Sequence, residues 1–126
     1  MNPGLIKNYT GQGAIGAMRI VKAGSADGTV AQAAASTDPI LGISSGAVTM
    51  SYDDGDPVDV IHRDIADLQL GGNVAYGNYL TSDPNGCGIV AAPAAGVNCQ
   101  VVAKALESGI SGDIIRVLIT LTQIQG

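Results

Sequence analysis

The stretch GDPVDVIHRDIADLQLGGNVAYG, from Gly55 to Gly77, decides the fold. It follows a turn at Asp53-Asp54-Gly55-Asp56-Pro57, continues as a long strand-like run and breaks at Gly71-Gly72. Within the run, Val58, Val60, Leu68 and Leu70 share one parity, and Ile61 and Ile65 share the other. Side chains alternate faces along a strand, so one regular strand cannot bury both sets. A bulge or corner around His62 to Asp64 is predicted to reconcile them.

The run is also echoed. Gly112-Asp113-Ile114-Ile115-Arg116-Val117-Leu118-Ile119 repeats its opening, and its close, Gly72-Asn73-Val74-Ala75, echoes Gly13-Ala14-Ile15-Gly16. Working outward, Arg19-Ile20-Val21-Lys22 matches Asn78-Tyr79-Leu80-Thr81. The Asp27-Gly28 turn matches Asn85-Gly86, and Thr29 to Ala33 matches Ile89 to Ala92. Pro39 to Ser44 takes the place of Gln100 to Ala105. The offset stays near 57 to 61 residues, the signature of an internal repeat. Each copy reads as three or four strands with tight turns. The expected fold is all-β: a barrel or sandwich built from pseudo-repeats at about 13–70 and 72–124, forming one β domain over 13–126. Ala33-Ala34-Ala35, Ala91-Ala92 and Gly13 to Met18 leave room for short helical turns at most. Gly46 to Tyr52 reads as a further strand or a surface excursion. Residues 1–12, with Pro3, Gly4 and Gly11, read as an extended N-terminal arm carrying a short strand around Leu5 to Tyr9.

Composition narrows the function. Hydrophobic residues make up 46% of the 126, yet Phe and Trp are absent, so the core is Val, Ile, Leu and Ala. Charged residues are 13%, against about 25% in an ordinary soluble domain, as suits a surface covered by partners. A net charge of −5 argues against nucleic acid and anionic membranes as partners. No apolar run approaches the ~20 residues of a membrane span. Lys7 falls where a signal peptide needs its apolar segment, so the chain is expected to start in the cytoplasm. There Cys87 and Cys99, which fit no metal spacing, read as free thiols, with a disulfide as the alternative.

Chemical motifs are weak. Gly11-Gln12-Gly13-Ala14-Ile15-Gly16 fits G-x-G-x-x-G but lacks the helix that phosphate binding needs. Asp53, Asp54, Asp56 and Asp59 cluster without the distal Glu of a calcium loop, and read as a solvated turn. His62, the single histidine, has Arg63 and Asp64 beside it and no nucleophile elbow in the chain. Asp64, Asp67 and Glu107 form no acid/base pair. No enzyme activity, cofactor or metal is expected.

The order and spacing of several segments resemble one family, the head-decoration or capsid cement proteins of tailed bacteriophages. The segments are Arg19 to Lys22 with Ala26 to Val30, Ala33 to Asp38 before Ile40 to Ile43, and Gly55 to Val60. They continue with Gly71-Gly72 and Leu80 to Asp83, and end with Ala105 to Gly109 leading to Gly112 to Val117. The likeness covers roughly residues 13 to 120. It departs in the Val48 to Asp54 segment and in its two cysteines. The resemblance implies a non-enzymatic β protein on the outside of an icosahedral head, bound to the major capsid protein and commonly a homotrimer. Shell contact is expected from the arm, where Leu5, Ile6, Lys7 and Tyr9 could add a strand to a neighbour's edge; removing it is expected to spare the fold. The alternatives are a tail-tube or fibre-base subunit, or a small-ligand or glycan-binding β domain displayed on the virion, using Tyr76 and Tyr79, the closest tyrosine pair.

Overall fold

The computed structural model describes residues 5–45, 51–93 and 95–125, with the side chains of 5–7 and 64 outside the description. The expectation for Gly46 to Met50 therefore lies outside the described residues. Among the described residues eleven strands follow one another: β1 (Leu5–Gly11), β2 (Ile15–Gly16), β3 (Ile20–Ala23), β4 (Thr29–Gln32), β5 (Ile40–Ser44), β6 (Ser51–Tyr52), β7 (Pro57–Gln69), β8 (Tyr79–Ser82), β9 (Gly88–Val90), β10 (Asn98–Ala105) and β11 (Ile114–Gln125). No helix occurs among the described residues. Gly13 to Met18, where the sequence left room for a helical turn, instead holds β2 and a tight turn in which Met18 takes φ 56°.

The strands order as β1-β4-β3-β5-β7-β11-β10-β8-β9, and β1 also pairs with β7. That last pairing closes β1, β4, β3, β5 and the first half of β7 into a five-stranded barrel, in which β1 meets β4 only at its end, Thr10 and Gly11. Residues 5–11 are thus not a free arm. Leu5 to Thr10 lie antiparallel along Arg63 to Pro57, and Thr10 and Gly11 lie parallel to Thr29 and Val30. Asn8 Nδ2 donates to Asp59 Oδ1 at 3.0 Å, and Tyr9 packs on the barrel interior. Leu5 to Thr10 form one wall of the barrel, so removing residues 2–10 is expected to cost the fold rather than spare it.

β7 changes partners midway. Pro57 to Arg63 face β1, and Asp64 to Gln69 face β11. Leu5 stands opposite Arg63 and Ile6 opposite Ile61, so β7 carries one extra residue, His62. This is the bulge that the parity conflict calls for. Val58 and Val60 enter the smaller core with Ile15, Val21, Val30 and Tyr52. Ile61, on the opposite face, joins Ala66, Leu68 and Leu70 in the larger core. A regular strand would put Ile61 and Ala66 on opposite faces; the extra residue brings them together.

Past the bulge the plan recurs. β8 pairs β9 and β10, and β10 pairs β11, as β3 pairs β4 and β5, and β5 pairs β7. The second half of β7 lies along β11 as β1 lies along β7. A parallel bridge from Leu70 to Gly88 closes this unit where Gly11 meets Val30 in the first. The hydrogen bonds correspond one by one. Gly11 N donates to Asp56 O at 2.8 Å, and Leu70 N to Asp113 O at 2.8 Å. Gly55 N donates to Gly11 O, and Gly112 N to Leu70 O. Asp56 Oδ2 accepts from Asp53 N, and Asp113 Oδ2 from Ile110 N.

Candidate interaction surface

The residues singled out for chemistry are spent on structure. Asp54 Oδ1 accepts from Gly13 N at 2.8 Å, Asp56 from Asp53 N, and Asp59 from Asn8. These carboxylates hold turns and strand ends, as short acidic side chains do. Among the described residues no group of three His, Cys, Asp or Glu could hold a metal. The glycines of 11–16 open onto β2 and supply no helix N-terminus. Arg116 Nε donates to Glu107 Oε2 at 3.4 Å on the surface.

His62 sits at the bulge with both ring nitrogens engaged. Nδ1 lies 2.9 Å from Leu41 O and Nε2 lies 3.0 Å from Tyr9 Oη. A carbonyl only accepts, so Nδ1 carries the proton. With that single ring proton, Nε2 is the acceptor for the Tyr9 hydroxyl. Of the predicted contact residues, Leu5, Ile6, Lys7 and Tyr9 share β1. Tyr9 is half-buried and fixed to the first barrel through His62. The edge of β1 away from β7 pairs with β4 only at Thr10 and Gly11.

Cys87 and Cys99 are free and buried. Burial pushes the Cys87 thiol up, Asp83 adds to the rise, and Arg19 opposes it. A concavity of about 180 Å³ is lined by Met18, Ser44, Ser45, Ile61 and Asp67. Another of about 140 Å³ is lined by Ser36, Thr81 and Cys99 among others. Both fall below the ~300 Å³ at which ligand sites usually begin.

The surface is uneven instead. Among the described residues, the large exposed hydrophobics are Tyr76, Tyr79, Val90, Val97, Ile110, Ile114, Leu118 and Leu121, all in the second unit. Lys104 Nζ stands 5.9 Å from the centre of the Tyr79 ring, a cation–π contact. Sequence reasoning points to Tyr76 and Tyr79 only as a glycan platform. It misses the apolar outward positions of β11, although the alternation of Ile114, Arg116 and Leu118 with buried neighbours is a local signal.

No protein-family model and no curated protein sequence matches the chain. Among solved structures, the chain is similar to the head fiber gp8.5 N base of bacteriophage phi29, with a TM-score of 0.68 and 17% sequence identity. The match covers 97% of this chain and 98% of that one. At this identity the likeness shows the all-β barrel fold.

Proposed function

We propose that the chain is a structural protein of a bacteriophage virion, bound to the outside of the head and stabilising the shell lattice as a decoration protein. The observation that carries this reading is the fold. Nearly the whole chain superposes on nearly the whole of a head-fibre base. The partner is the major capsid protein, and the working form is a homotrimer assembled in the host cytoplasm. Its action is geometric: each copy touches more than one shell subunit, and joining copies multiplies modest contacts into avidity.

The shell contact is assigned to β1. Leu5, Ile6 and Lys7 lie where the outward edge of that strand has no β4 partner, so a shell strand can add there through backbone hydrogen bonds, with Tyr9 anchoring the strand through His62. The test is to mix purified protein with heads that lack it and image them. Density at the local three-fold positions is the expected result, and bare heads would overturn the reading. The fold neighbour's own description favours a second reading, the base of a head fibre. Density confined to a few fibre-attachment positions would select it.

A further inference from the structure

The two units share a cross-strand ladder on their outer faces. In the first barrel, Ile20 stands opposite Ile43 and Ile43 opposite Ile61. In the second unit, Tyr79 stands opposite Lys104 and Lys104 opposite Leu118. The first ladder is buried, at 0%, 0% and 8% exposure, because the second unit covers it. The covering piece includes the turn between β8 and β9. Gly86 O accepts from Ile20 N at 2.7 Å, and Asn85 O accepts from the Arg19 guanidinium at 2.9 Å. A side chain at Gly86 would meet the carbonyls of Ile20 and Ala33. The second ladder is open to solvent: Tyr79 is 43% and Leu118 39% exposed. A sheet face meant only for water carries polar residues, yet two of these three are large and apolar.

We propose that the Tyr79–Lys104–Leu118 face receives the first barrel of another copy of this chain, head to tail, with the turn after β3 seated over Tyr79 and its Asp27 on Lys104. The chain itself argues for this occupant. The turn that covers the first ladder has its counterpart in the first barrel at Ser25 to Gly28. Gly28 takes φ 77° where Gly86 takes 74°, and Asp27 stands where Asn85 stands. Asp27 is exposed, and so is Lys104. Lys104 makes neither of the salt bridges found among the described residues. It leans over Tyr79, the position equivalent to Ile20, where the internal turn is seated. The contact thus joins opposite charges over an apolar floor. It is heterologous, so it closes into a ring or extends into a filament. A ring of three is the closed form that the proposed trimer requires.

Sedimentation velocity on the purified protein, without heads, tests this separately from head binding. The wild type is expected to self-associate. Lys104→Asp and Asp27→Lys should each weaken that association at least about tenfold through like-charge contact, with unchanged circular dichroism because both positions are exposed. The double variant should restore it. A wild type that stays monomeric, single variants that associate as before, or a double variant that fails to recover would each overturn the proposal.

Discussion

The first barrel and the second unit have the same backbone and different interiors. In the first, Tyr9 and Tyr52 fill the core together with valines. At the matching positions the second has Leu68 and Gly109, where a Cβ would strike Leu70 at 2.8 Å and Ile115 at 3.0 Å. Ser44 is fully buried in the first, its hydroxyl accepting from Arg19 N and donating to Gly16 O at 2.7 Å. Its counterpart, Ala105, is equally buried and needs no partner. The Gly-Asp turns, by contrast, keep both residues and bonds. The difference teaches that backbone hydrogen bonds define this plan. Side chains are free to vary as long as each interior is filled to close packing.

The sharpest contrast is at the ladder, and it gives the largest expected effect. Ile43→Lys copies Lys104 into the first barrel, where the position is fully buried. An unpaired ammonium there should cost about 3–5 kcal/mol, a large share of the roughly 5–15 kcal/mol that holds an ordinary domain folded. The reverse change, Lys104→Ile, should move the urea midpoint by less than about 0.5 kcal/mol equivalent, since the position is exposed. If both variants unfold at the same urea concentration, the two faces are not as different as their burial says.

Next in size is Gly42→Ala. Ala103, at the same place in the second unit, is tolerated and fully buried. At Gly42 a Cβ would lie 2.2 Å from Ile61 O and 2.9 Å from Val60 Cγ1. The obstacle is backbone, so β5 and β7 must part. A loss near the upper end of the ~1–3 kcal/mol range for overpacking is expected in urea unfolding. Ala103→Gly should cost only about 1 kcal/mol.

Part of this was legible in the sequence, for local reasons. The mixed parity of the apolar set, Val58, Val60, Leu68 and Leu70 against Ile61 and Ile65, pointed to an irregularity near His62; the bulge there sets Leu68 and Leu70 on the face of Ile61, while Val58 and Val60 stay in the smaller core. The Gly-Asp echo foretold matching turns, because Gly55 and Gly112 both need positive φ, at 88° and 90°. The closure of the barrel by Leu5 to Thr10 was not legible. It depends on pairing with residues more than forty positions away, and nothing within β1 shows whether its partner is its own chain or another. Nor could the burial of Ile20 and the exposure of Tyr79 be read, since both alternate with an inward neighbour. Lys104 and the charged Arg116 between Ile114 and Leu118 were the local signs that the second face is open.

A smaller effect tests the turn before β3 and its counterpart before β8. Met18 takes φ 56° where Gly77 takes 91°. A Cβ at Gly77 would meet nothing within 4 Å, so Gly77→Ala probes backbone strain alone and should cost about 1 kcal/mol by thermal melting. Met18→Gly relieves a similar strain but removes a side chain only 7% exposed. The lost burial outweighs the relieved strain, so it too should destabilise.

The smallest effect separates the two connections that follow the hairpins. In the first barrel Asp38 ties this segment down: its carboxylate accepts from Ala34 N at 2.8 Å and Ala35 N at 3.1 Å and meets Lys22 Nζ at 3.3 Å. Burial alone would raise this carboxyl, but the Ala34 and Ala35 amides and the Lys22 ammonium outweigh it and hold it below its ordinary value of 3.8. A carboxyl whose folded pKa is lowered binds protons more readily when unfolded. Its contribution is therefore present above pH 3.8 and is lost as pH falls through the lower folded value. Asp38→Ala should cost about 0.5–1 kcal/mol at neutral pH, a modest figure because water reaches the pair. The gap from wild type should close in acid. Among the described residues of the second unit, the matching connection carries Pro93 and no acidic side chain. Pro93→Ala should therefore show a pH-independent change. A gap at Asp38 that persists at the acid end of the titration would mean that the side chain acts there by shape rather than by charge.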